Sequence, residues 1–120
     1  MRILFLSTWF PFPPDNGSKI RVYHLLRALG QRHEVTLLSF AWDTAQPQAT
    51  AALPFCKTIH TLPCDPFQRS AFAQATRYLA LAPVVTRPLP EMRRLVTDAL
   101  AHTTFDAVIA STEVMATYAL

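Results

Sequence analysis

RILFLS at residues 2–7, TWFPFPPDNG at 8–17, SKIRVYHLLRALGQ at 18–31 and EVTLLSF at 34–40 together decide the fold. The first block is a short β-favouring apolar run that stops at a loop containing Pro11, Pro13, Pro14, Asp15, Asn16 and Gly17, as a buried strand followed by chain-breaking residues does. In the third, Val22, Leu25, Leu26 and Leu29 fall at i, i+3, i+4 and i+7, while His24, Arg27 and Gln31 share another side. That spacing predicts an amphipathic helix over Ser18–Gln31, with Gly30 near its end. Val35, Leu37, Leu38 and Phe40 make Glu34–Phe40 a second strand, and strand, helix and strand together have the length of a βαβ crossover with parallel neighbours.

Beyond this unit the alternation continues. Ala41 to Pro54 is rich in Ala, Thr and Gln without a clear period and reads as a surface excursion. Lys57–Leu62 is a weaker strand ended by Pro63, and Asp65-Pro66 opens a helix expected to run to Leu81. Pro90-Glu91 opens another, in which Met92, Leu95, Val96, Ala99 and Leu100 form an apolar stripe opposite Arg93, Arg94 and Asp98. Phe105–Ala110 is a compact apolar strand, and Ser111-Thr112-Glu113 lead into a final helix. The expected class is α/β, a Rossmann-like parallel sheet with helices on both faces. Ligands of such sheets gather at the carboxyl ends of strands, here Ser7 to Gly17, Phe40 to Asp43, Leu62 to Asp65 and Ser111 to Glu113.

Composition narrows the function. The 120 residues, 51% hydrophobic and 16% charged, suffice for one ordered core but not two. Net charge is +3, yet the 11 Lys and Arg residues are scattered, and only Arg93-Arg94 are adjacent, which argues against a nucleic-acid partner. A mildly basic domain suits anionic ligands or an anionic membrane surface, and plain solubility accounts for the same balance. Ile3-Leu4-Phe5-Leu6 is too short for a signal peptide and is followed by no small-residue cleavage site. No apolar run approaches the roughly 20 residues that span a bilayer, so a cytoplasmic location is expected, with any membrane contact peripheral at the inner face. Cys56, His60 and Cys64 recur every fourth position; along a strand that interval covers about 13 Å, too far for convergence on one ion, and both cysteines read as free thiols. His24, His33, His60 and His102 lack ligand spacing as well, and no metal site is assigned.

The first loop carries the most chemistry. It delivers Asn16-Gly17-Ser18 to the start of a helix, where free amides and positive potential meet, and Gly17 has no side chain to hold a phosphate away. Lys19 and Arg21 add positive charge nearby. The same residues also serve as the turn and cap that any helix needs. No Gly-x-Gly-x-x-Gly and no Gly-Lys-Ser/Thr ending is present, which disfavours dinucleotide and P-loop readings. Trp9, Phe10 and Phe12 read either as the lining of an acceptor or lipid-facing groove or as loop anchors.

Taken together, Arg2 to Ser7, Phe10 to Arg21, Tyr23 to Leu29 and His33 to Leu38 resemble the start of family-four glycosyltransferases. The match is dense over the first forty residues, weak from Ala41 to Pro83, and returns at Phe105 to Ile109 and at Met115-Ala116 with Tyr118-Ala119; the similarity is to bacterial sugar transferases of exopolysaccharide assembly. The resemblance implies a retaining, metal-independent GT-B enzyme that moves a sugar from a nucleotide-diphosphate donor to a saccharide or lipid-linked acceptor. It implies that residues 1–120 are an incomplete, acceptor-side N-terminal domain, inactive without a C-terminal donor-binding domain. The donor diphosphate then maps onto Asn16, Gly17 and Ser18, with Lys19 and Arg21 in support.

Two positions depart from the family pattern. Ser18 stands where a second glycine is frequent, and Ile109, Ala110 and Ser111 stand where many members carry histidine. Glu113, the nearest ionisable side chain, is a candidate catalytic group and equally an ordinary carboxylate in the first turn of a helix. The alternative is a non-enzymatic α/β module holding an anion or sugar phosphate at the same loop. A receiver-like phosphate-using domain is disfavoured because Ser7, Thr8 and Phe40 occupy positions where it needs acidic residues.

Overall fold

The computed structural model describes residues 1–41, 52–63 and 89–119, with Glu113 described by its backbone alone. Within them lie β1 (Arg2–Ser7), α1 (Gly17–Gly30), β2 (Glu34–Phe40), β3 (Thr58–Leu62), α2 (Pro90–His102), β4 (Ala107–Ala110) and α3 (Glu113–Ala119). The helix expected from Asp65 to Leu81, most of the excursion after Ala41, and Cys64 lie outside the described residues.

All four strands are parallel, in the order β3-β2-β1-β4. The sheet grows in one direction from β1 to β2 and β3 and in the other to β4, so the fold is α/β with a Rossmann-like half sheet. Arg2 pairs in register with Glu34, Ser7 with Ser39, and Leu4 with both Thr36 and Val108.

The alternation of side chains along a strand sorts the apolar residues into two cores. Phe5, Val35 and Leu37 point to one face and pack with Val22 and Leu26 of α1 and with Phe10 from the first loop. Leu4, Leu6, Leu38 and Phe40 point to the other, against Met92 and Val96 of α2 and Met115 and Tyr118 of α3. With helices on both faces, β1 is buried from Ile3 through Ser7, which is why it reads as an unbroken apolar run. Each fully buried Leu or Phe contributes about 2 kcal/mol. The Tyr118 hydroxyl accepts from the Leu89 amide at 2.8 Å, tying α3 to the start of α2.

Most of each expected stripe faces the core, Val22, Leu26 and Leu29 on α1 and Met92, Leu95, Val96 and Ala99 on α2, and one member of each is exposed. On α1 the buried residues are Lys19, Val22 and Leu26, and Leu25 is 42% exposed. At 100° per residue, Leu25 stands about 60° to one side of Val22 and Lys19 about 60° to the other, and α1 turns its Lys19 side inward. On α2, Met92 and Val96 are buried while Leu100 is 46% exposed. Phe10 is fully buried as an anchor of the first loop, which decides between its two readings, and Phe12 remains partly exposed beside Tyr23. Strands β3 and β4 begin one and two residues later than the apolar pattern indicated, at Thr58 and Ala107. Cys56 is a free, buried thiol, and burial pushes its pKa up to about 11.

Candidate functional site

Chain order places β1 and β4 side by side, while β1 leads to α1 on one face and β4 to α3 on the other. Where two such connections diverge, a crevice opens outside the carboxyl ends of the strands, the usual ligand position in an open α/β sheet. The two loops meet at this point: Thr8 and Thr112 share a hydrogen bond between their hydroxyls at 2.7 Å. Arg21 reaches across from α1, its Nη2 donating to the Ser111 carbonyl at 3.3 Å, and the Ser111 amide donates to the Leu6 carbonyl at 2.9 Å.

The first loop sets up the start of α1. After a cis Phe12-Pro13 peptide, the Asp15 amide donates to the Pro13 carbonyl at 2.9 Å, and Asn16 takes an extended conformation as N-cap. Asn16 Oδ1 accepts from the Lys19 amide at 3.0 Å, and the Asn16 carbonyl accepts from the Ile20 amide at 2.9 Å. These bonds leave the Gly17 and Ser18 amides pointing out of the first turn, which contains no acidic residue to offset the positive end of the helix. Gly17 has no positive φ, and among the described residues a Cβ built on it meets nothing within 4 Å. Neither backbone conformation nor packing among the described residues calls for glycine at this position.

The two expected supporting cations occupy different places. Lys19 is buried, its Nζ 3.6 Å from Asp15 Oδ1, so its charge is shared with the loop carboxylate. Arg21 is exposed at the mouth, one turn beyond Gly17. Asn16, Gly17, Ser18 and Arg21 are thus brought together, whereas Lys19 belongs to the interior side of the loop. Glu113 begins α3 two residues beyond Ser111.

A row of hydroxyl residues at the carboxyl edge is a feature that the reading of the first loop missed. Ser39 pairs with Ser7 on one side and Thr61 on the other, and Ser111 continues β4 beside Ser7, so all four strands end their α1 face in Ser or Thr. Ser7 donates to the Trp9 carbonyl and Ser39 to the Phe40 carbonyl. The signal was present in the sequence as a hydroxyl residue at, or one position from, the end of each strand. Among the described residues no group of His, Cys, Asp or Glu is placed to hold a metal ion.

Two concavities lie at the opposite, amino edge of the sheet. One of about 650 Å³ is lined by Met1, Arg2, Gly30, Arg32, His33 and Asp106 among others, and one of about 230 Å³ by Lys57, Thr103 and Phe105 with their neighbours. Their polar groups bind each other: Glu34 takes Lys57 at 3.1 Å and Arg2 at 3.5 Å, the Asp106 carboxylate accepts from the Arg2 amide at 2.8 Å, and the terminal ammonium meets His33 Nδ1 at 3.3 Å. The carboxyl edge is therefore the stronger candidate, because the start of α1 turns the Gly17 and Ser18 amides outward beyond its Asn16 cap and the Arg21 guanidinium lies exposed one turn away. No helix among the described residues is long and apolar enough to cross a membrane. Comparison of the chain with family models, with curated proteins and with solved structures finds no match.

Proposed function

We propose that this chain is the acceptor-side, Rossmann-like domain of a retaining GT-B glycosyltransferase of family-four type. It works with a donor-binding domain to move a sugar from a nucleotide-diphosphate donor to a saccharide or lipid-linked acceptor. The observation that carries the reading is the exposed start of α1, where the Gly17 and Ser18 amides point outward and a Cβ on Gly17 would meet no described residue within 4 Å. Amides fixed there stabilise the negative charge that grows on a leaving diphosphate, and they need no metal to do so. Arg21 lies within the same mouth, and the resemblance of the first forty residues to that family supports the assignment. The work is cytoplasmic, with contact to the inner membrane face where the acceptor is lipid-linked.

A second reading is favoured by the chemistry of the crevice itself. Ser7, Thr8, Ser111 and Thr112, the side chains at the ends of β1 and β4, include no group that titrates near neutral pH. A non-enzymatic module that holds an anion or a sugar phosphate fits this equally well. Calorimetry with UDP- and GDP-sugars, together with release of nucleoside diphosphate, separates the two when run on the 120-residue chain and on the product of the complete coding sequence. Sugar transfer that depends on a donor half supports the enzyme. Tight anion binding by the short chain, without transfer by either protein, overturns it in favour of the module.

A further inference from the structure

Among the described residues one side-chain oxygen is buried without a hydrogen-bond partner, Oγ of Ser111. Its neighbours are engaged: Ser7 with the Trp9 carbonyl, Ser39 with the Phe40 carbonyl, and Thr8 with Thr112. Folded proteins leave few buried polar groups unmet, because the group has given up its water for nothing. Alanine at position 111 occupies nearly the same space without that cost, so packing does not account for a serine.

Position supplies the account. Ser111 extends β4 past Ala110 with its amide on the Leu6 carbonyl, and the alternation along the strand sends its side chain to the α1 face, as it does for Ile109. The carbonyl of the same residue receives the Arg21 guanidinium, and Arg21 stands one helical turn past the open face of Gly17. An unmet hydroxyl and a guanidinium resting on a neutral carbonyl therefore meet at the end of β4, and the guanidinium comes from the helix whose first turn carries two outward amides. An oxyanion is a stronger partner for each of them than anything they now hold.

We propose that Ser111 is a ligand-binding residue of this crevice, its hydroxyl donating to a phosphoryl oxygen that Arg21 also engages, so that the anion is held between the start of α1 and the end of β4. This rests on the anion-binding reading of the Asn16–Ser18 turn and gives that site its second wall.

The probe is inorganic pyrophosphate, titrated by calorimetry into the 120-residue chain, with UDP alongside to distinguish a free diphosphate from one carried by a nucleotide. Ser111→Ala is expected to weaken binding about tenfold, the weight of one hydrogen bond to a charged group. It leaves the melting midpoint of the unliganded chain unchanged or raised, because an unmet hydroxyl has been removed. Arg21→Gln weakens binding as well, and the double variant loses less than the two losses combined, since both groups meet one oxygen. Unchanged affinity in Ser111→Ala beside a clear loss in Gly17→Ala overturns the role of Ser111 and leaves the anion reading standing. A lowered midpoint with unchanged affinity overturns it too, by identifying a structural hydroxyl. If neither probe binds the unsubstituted chain, the anion reading fails and takes this proposal with it.

Discussion

The two ends of α1 each carry a glycine, the only two in the chain, and they are there for opposite reasons. Neither has a positive φ, so conformational freedom explains neither. At Gly30 a Cβ would overlap the Phe55 carbonyl oxygen and come within 2.9 Å of the Phe55 Cβ, so the helix approaches the turn before β3 more closely than any side chain permits. At Gly17 a Cβ would meet no atom of the described residues within 4 Å. The carboxyl end of α1 is thus a packing joint at the amino edge of the sheet, where charges are already paired. The amino end is an open turn at the carboxyl edge, where amides, a guanidinium and a hydroxyl still have bonding capacity.

The largest expected effect is at the joint. Gly30→Ala forces the backbone around Phe55 to move, because the obstructing atom is a carbonyl oxygen and not the tip of a flexible side chain. A loss of about 2–3 kcal/mol is expected, in the range of overpacked cores. Thermal or urea unfolding reads it directly, and pyrophosphate affinity at the far end of the helix should stay unchanged in the fraction that remains folded. A Gly30→Ala protein as stable as the original would show that the turn and the helix are not closely apposed, and the contrast between the two ends would lose its structural half.

How far this contrast was legible in the sequence depends on what each feature rests on. Strands β1 and β2 have the limits their apolar runs indicated, Arg2–Ser7 and Glu34–Phe40, because burial on both faces removes polar residues from the pattern. Asn16 as cap and Gly17 at the first turn were legible from residue type and order alone. The inward turn of Lys19 was not: hydrophobicity favoured Leu25, whereas the buried ammonium lies 3.6 Å from the Asp15 carboxylate. Strand order was also closed to inspection, since nothing in the β4 segment says that it pairs with β1, and without that pairing Ser111 and Arg21 cannot be seen to meet. An unmet hydroxyl is a property of surroundings and leaves no mark in the sequence.

At the open end the sign of the effect reverses. Gly17→Ala places a methyl group in empty space and restricts the unfolded chain, so stability should rise by about 0.5 kcal/mol. Pyrophosphate binding should fall about tenfold, roughly 1.4 kcal/mol, because the methyl takes the approach that a backbone-bound anion needs. Unfolding midpoints and calorimetry on one preparation give both numbers. Higher stability with undiminished binding would place the anion elsewhere and break the functional half of the contrast.

The smallest effect tests whether the amino edge is as self-satisfied as its pairings suggest. Glu34 lies between Lys57 at 3.1 Å and Arg2 at 3.5 Å, and its pKa is held below the ordinary 4.5, first by the Lys57 hydrogen bond and then by the Lys57 charge, which outweigh an opposing desolvation, with lesser help from Arg2 and the terminal ammonium. A depressed carboxylate pKa contributes stability that is present above the unfolded value and is lost as pH falls through the lower folded one. Glu34→Gln should therefore melt slightly below the original near neutral pH, and the gap should close in acid. All three side chains are more than half exposed, so the gap should also shrink with added salt. Melting curves across the acid range at low and high salt measure both trends. A gap that persists in acid and in salt would mean that Glu34 acts by shape and not by charge; Arg2 and Lys57 would then be available to an incoming anion, and the amino-edge concavities would become the rival site.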